Sequence, residues 1–207
     1  MAGKYESANK KKKKWPWIVG ICVLAVILAL LLVQCDGEKE KIPTLTVETP
    51  QKISLSNTDE FTLDVTISAL GNALYPAASM SISFDSSRVE FLGVEEGNIF
   101  ILSAESSSGQ QLPDWSCNVE NSNATGMINI MYLDMTGGKY AFSKDLLAED
   151  NNVVLRLKFR LRGSVRSGDV LDLILEDAVF AASDETQSLA MTLDTLKTKD
   201  GRIVIGE

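Results

Sequence analysis

The chain has 207 residues, a net charge of −8 and no histidine. An acidic chain is a poor ligand for nucleic acid, whose phosphates demand Lys and Arg. The lack of histidine removes the usual general base, the usual zinc ligand and every Ser–His or Cys–His dyad.

Charge is spread unevenly. Residues 1–14 carry six lysines (Lys4 and Lys10 to Lys14) against Glu6, a net +5, which leaves −13 for the rest of a chain that totals −8. Trp15 to Gln34 holds no charge. As a helix its apolar centre, Ile18–Val33, spans roughly 24 Å, and residues 15–34 together about 30 Å, the thickness of a bilayer's hydrocarbon core. Flanking lysines resist translocation, and Trp15 and Trp17 sit where an aromatic belt lies. The expectation is a retained transmembrane signal anchor over residues 15–34: a single pass through the cell membrane, with a cytoplasmic Lys-rich segment at 1–14 and an extracytoplasmic domain beyond. Two alternatives stay open. One is lipidation at Cys35, although Gln34 stands where a lipobox has a small residue; the other is cleavage, although no small-x-small site follows Leu32.

Residues 35–43 form a charged linker, and its eight residues 36–43 reach at most about 28 Å when extended, so the domain at 44–207 is expected close to the membrane surface. Within that domain Cys117 is the sole cysteine, which excludes an intradomain disulfide and a Cys-rich metal site.

From Leu45 the apolar period is two. Phe61, Leu63, Val65 and Ile67 alternate with Thr62, Asp64, Thr66 and Ser68, and Met80, Ile82 and Phe84 alternate with serines and Asp85. Val89 and Phe91-Leu92 follow a turn at 85–87, and Ile128–Leu133 is a further run. Val153, Leu155, Leu157, Phe159 and Leu161 alternate with Val154, Arg156, Lys158, Arg160 and Arg162. Apolar residues fill both phases of 170–175, which suggests cover on both faces; Ala178–Ala181 and Arg202–Ile205 complete the set. Residues 105–125, rich in Ser, Gly and Asn, read as a long loop, and 143–150 as one helical turn or a bulged crossing. Short strands with no amphipathic helix predict an all-β fold: an eight- or nine-stranded jelly-roll β-sandwich.

The order and content of these strands resemble a cohesin module, the β-sandwich receptor that binds dockerin domains in cellulosome-type assemblies. The likeness begins at Thr44–Thr49 and Glu60–Ser68. It continues through Met80–Gly97, with its aromatic-Asp pair Phe84-Asp85, short turn, second strand and closing glycine. Gly126–Asp134, Asn152–Arg160, Gly163–Leu175 and the terminal Asp200-Gly201-Arg202-Ile203-Val204-Ile205 extend it over about 44–205. One departure is Asn57-Thr58-Asp59, where the family often has Gly-Asp before its second strand.

That resemblance implies a flat sheet face for capture of a dockerin-bearing or other surface protein, with calcium in the partner and no cofactor here. By matching strands, the face would take in Ser79, Ser81, Ser83 and Asp85 together with Arg156, Lys158, Arg160 and Arg162, a basic row for an acidic partner. Asn129 and Met131 are further candidates. An ordinary solvated strand face is the plainer explanation of that row.

Two rivals remain. A carbohydrate-binding sandwich would attach the cell to polysaccharide, with Trp115 as a sugar platform rather than a lid on the core. A structural subunit of a surface assembly is the other, though Lys14-Trp15-Pro16 lacks the glycine-ended leader of pilin-like chains. An enzyme is not expected: the carboxylate pairs Glu95-Glu96 and Glu176-Asp177 are adjacent on strands, which should send their side chains to opposite faces. The turns at 149–152 and 183–185 hold acids but no EF-hand spacing.

Overall fold

The structure is a computed structural model that describes residues 42–49, 52–55, 60–100, 115–148, 150–183, 190–192 and 194–207. The expected anchor at 15–34, the turn at 56–59 and parts of both acidic turns lie outside the described residues. Among the described residues no helix is long and apolar enough to cross a membrane.

Residues 42–207 make one unit of two packed sheets. In chain order the strands are β1 (Thr44–Val47), β2 (Ile53–Ser54), β3 (Phe61–Ile67), β4 (Ala77–Ser83), β5 (Val89–Glu96), β6 (Trp115–Cys117), β7 (Met127–Leu133), β8 (Val153–Leu161), β9 (Val170–Ala181), β10 (Lys197–Lys199) and β11 (Gly201–Gly206). The first sheet runs β10-β1-β3-β8-β5 and the second β2-β11-β9-β4-β7-β6. Among the described residues eleven strands therefore stand where eight or nine were expected. The short outer strands β2, β6 and β10 carry too few residues to show a period.

Alternation works as anticipated on β3, whose Phe61, Leu63, Val65 and Ile67 are buried while Thr62 is exposed. The inward rows meet in aromatic clusters. Phe159 lies 6.1 Å from Phe61, 5.8 Å from Phe84 and 5.6 Å from Phe91, centroid to centroid. Elsewhere in the core Phe142 packs on Phe100, Tyr132, Trp115 and Phe180.

Three irregularities break the period. In β8, Val153, Val154 and Leu155 are all buried because the register with β3 slips between Val65 and Thr66. In β5 the slip falls between Phe91 and Gly93. In β9 it falls opposite Ser81/Ile82, so that Ser81 faces Asp177 and Ile82 faces Leu175, with Glu176 the extra residue. The expected separate strands at 170–175 and 178–181 are thus one bulged strand. Its Leu171, Leu173 and Leu175 point inward, while Val170 and Ile174 are exposed rather than covered.

Of the loop expected over 105–125, residues 105–114 lie outside the described residues, and the remainder holds β6 and a helix, α1 (Val119–Thr125). Asn118 caps it by accepting from the Asn121 amide at 2.9 Å, and Gly126 closes it in the left-handed region at φ 72°. Asn123 then reaches the edge strand β5: its Oδ1 accepts from the Phe91 amide at 2.9 Å and its Nδ2 donates to the Phe91 carbonyl at 2.7 Å. One side chain thus occupies the place of a neighbouring strand at a sheet edge. The closing glycine of the β5 segment, Gly97, has a packing reason, since a Cβ there would stand 1.9 Å from the Val153 carbonyl oxygen. Residues 144–146 form a single 3-10 turn, as one of the two readings had it.

Candidate docking face

On β4 the side chains of Ala78, Met80 and Ile82 are buried, which turns Ser79, Ser81 and Ser83 outward. Antiparallel pairing sets Leu133 opposite Ala77, Met131 opposite Ser79 and Asn129 opposite Ser81. On the other flank β9 places Val179 opposite Ser79 and Asp177 opposite Ser81. Ser81 Oγ donates to Asn129 Oδ1 at 2.8 Å, and Ser83 Oγ donates to Glu176 Oε1 at 2.9 Å. The hydroxyls are therefore held by neighbours on the same face. Met131 and Leu133 are 58% and 51% exposed, an unusual outlay of apolar surface on a solvated strand. Beside them lies a shallow depression lined by Ser79, Ser81, Ser116, Cys117, Asn129 and Met131.

The rim of this face is pinned by a buried acid. Asp134 accepts from the amides of Thr136 at 2.7 Å, Gly138 at 2.9 Å and Tyr140 at 3.3 Å, and from the Thr136 hydroxyl. Burial alone pushes its carboxyl up, but these donors outweigh burial and hold it below the usual aspartate range. The Tyr132 hydroxyl donates to the Tyr140 carbonyl at 2.7 Å; burial first, then the charges of Asp134 and Glu96, pushes that phenol well above its ordinary value. The loop so fixed carries Met135, 81% exposed, just beyond Leu133.

Arg156, Lys158 and Arg160 do not share this surface. They lie on β8, in the first sheet, whereas the serine row lies in the second. The expectation of one face that unites both rows is corrected: alternation tells inward from outward, but not which sheet a strand joins. The basic row is also answered within its own sheet. Arg156 meets Asp64 at 3.1 Å, and its guanidinium donates to the Glu96 carbonyl at 2.9 Å. Lys158 pairs with Glu60, and with Glu95 at 3.6 Å; Arg160 meets Glu60 at 2.8 Å and Glu90 at 3.7 Å. The hydrogen bond from Lys158 holds the Glu60 carboxyl below its ordinary range. Arg162 follows on at the end of β8, exposed.

Asp85 is exposed past the end of β4, where it accepts from the Ser87 amide at 3.0 Å and from the Ser87 hydroxyl, a turn-forming role. Trp115 is only 7% exposed and packs 5.2 Å from Tyr132 and 6.0 Å from Phe142, a lid on the core rather than a platform. Tyr75 and Tyr132 are buried as well. Leu133 and Met135 continue the phase of Asn129 and Met131, but both phases of 127–133 hold apolar residues, so the sequence alone does not tell which one faces out. Strand alternation also sets Glu176 and Asp177 on opposite faces, yet both are exposed because the β9 bulge shifts the phase between them. Among the described residues no group of three His, Cys, Asp or Glu could hold a metal ion.

The described residues thus form a two-sheet sandwich with a partly apolar outer face, a surface fit to dock another protein. The cohesin domain model matches residues 45–198, and the chain belongs to the cohesin family, whose domains are non-catalytic protein-binding modules. Solved structures agree at the level of the fold. The third cohesin of ScaC from Acetivibrio cellulolyticus, in complex with the ScaB dockerin, is 13% identical with a TM-score of 0.57, over 80% of this chain and 99% of that one. A cohesin–dockerin complex of OlpA from Clostridium thermocellum is 17% identical with a TM-score of 0.55, over 80% and 99%. The cohesin module of a family 33 glycoside hydrolase from Clostridium perfringens is 11% identical with a TM-score of 0.55, over 80% and 98%. No curated protein matches the sequence.

Proposed function

We propose that this chain is a membrane-anchored, extracytoplasmic receptor that captures dockerin-bearing proteins on the outer face of β9, β4, β7 and β6. The observation that carries the reading is the cohesin match over 45–198, together with a face that exposes Met131 and Leu133 beside uncharged Ser79, Ser81 and Asn129. Apolar groups without neighbouring cations gain by being covered, whereas the first sheet's outer face already satisfies its charges internally. Dockerin complexes of the ScaC and OlpA cohesins support the choice of partner. The lysines at 10–14 and the apolar run 15–34 support the anchor. Tethering in two dimensions would raise the local concentration of a captured enzyme, so moderate affinity would suffice.

The test is titration of the full chain, in detergent micelles, with calcium-loaded dockerin modules, with and without a chelator, beside a retention assay on insoluble polysaccharide. Saturable dockerin binding that vanishes with calcium removal is the expected result. Retention on polysaccharide with no dockerin binding would replace this reading with the carbohydrate-binding one.

A further inference from the structure

We infer that Glu176 and Asp177 set the specificity of this face, and that the docking element of the partner carries a Lys or Arg bracketed by apolar contacts. The inference rests on the dockerin-receptor reading above and names the chemistry of the partner's contact residues.

A regular strand would hide one of two adjacent acids. The bulge in β9 inserts Glu176 as the extra residue, and both carboxylates are exposed while Leu175 and Ala178 on either side stay buried. Bulges re-aim side chains and cost ladder regularity, so one that delivers a second carboxylate to the outer face needs a reason. Among the described residues neither acid is neutralised by a cation. Asp172, farther along β9, is answered by Arg202 at 3.2 Å. Glu176 takes only the Ser83 hydroxyl, and among the described residues neither Glu176 nor Asp177 meets a cation. No Lys or Arg occurs anywhere in β9, β4, β7 or β6.

The apolar groups flank this charge. Met131, Leu133 and Val179 lie toward one end of the strip, and Ile174 and Val170, 44% and 49% exposed, toward the other. An element laid along the strip buries both apolar ends and desolvates the carboxylates between them. A desolvated carboxylate without a donor is strongly unfavourable, so the element that fits brings a cation to the middle. The partner's contact charge is therefore positive, the reverse of what the basic row on β8 suggested.

The experiment compares wild type with Glu176→Gln/Asp177→Asn and with Glu176→Lys/Asp177→Lys, each as the full chain. They are titrated with a dockerin that binds wild type, at low and high salt. The neutral pair is expected to weaken binding about tenfold and to flatten its salt dependence, with the melting temperature unchanged. The lysine pair is expected to recover affinity for a dockerin whose docking-face Lys and Arg are changed to Glu. Binding by the neutral pair within about twofold of wild type, with the same salt dependence, overturns the inference while the receptor reading stands. Failure of wild type to bind any dockerin removes the receptor reading, and this inference with it.

Discussion

Asn123→Ala should be among the most damaging polar substitutions in the domain, although Asn123 itself is not fully buried. Its side chain satisfies both backbone groups of Phe91, at 2.9 and 2.7 Å, and also donates to the Val119 carbonyl at 3.0 Å. Phe91 is 0% exposed, so water does not readily replace the lost partner. A buried backbone group left unsatisfied costs about 1–3 kcal/mol, and with partial relaxation two such groups give roughly 2–4 kcal/mol. For a domain of this size that lowers the melting temperature by about 5–15 °C. Urea unfolding followed by circular dichroism should show a lower midpoint at unchanged slope. Asn123→Asp should be worse at neutral pH, because its carboxylate faces the Phe91 carbonyl without a donor. A loss below about 0.5 kcal/mol for Asn123→Ala would refute the view that this side chain stands in for an edge strand.

Acid should weaken the rim through Asp134. Because its folded pKa lies below the unfolded value of about 3.9, its stabilisation is complete above that value and is lost as pH falls through the lowered folded one. The stability gap between wild type and Asp134→Asn, read from urea midpoints, should shrink as pH falls below about 4; a gap constant with pH would contradict this. Arg156→Glu with Arg160→Glu should leave dockerin affinity unchanged and lower stability by roughly 1–2 kcal/mol, since half-exposed pairs contribute little each. A large loss of affinity would return the basic row to the docking surface. Gly97→Ala should destabilise by more than 2 kcal/mol, roughly, because the clash is with the Val153 backbone rather than a flexible side chain. A melting temperature equal to wild type would show that the two strands separate freely there.

Much of the sandwich is legible in the alternation of single segments. Residues 61–67 and 79–84 announce strands with one apolar face, and the structure keeps them so. The assignment of strands to sheets is not legible, because the period of two is identical in β4 and β8 and only long-range pairing separates them. Hence the serine and basic rows both face outward, yet they belong to different sheets. Helix α1 was hidden for a different reason. Its single fully buried residue is Ser122, so it lacks an apolar stripe, and only the caps Asn118 and Gly126 mark its ends. The bulge in β9 is a slip of one residue, and the local sequence there reads equally well as two strands or one.

The most direct test of the central claim is hydroxyl-radical footprinting of the full chain with and without a calcium-loaded dockerin. Met131, Leu133 and Met135 are exposed side chains that react readily when free. The account predicts that the complex protects Met131 and Leu133 and leaves residues on the outer face of β3, β8 and β5 unchanged. Protection confined to that opposite face, or none on β7 under saturating dockerin, would contradict it.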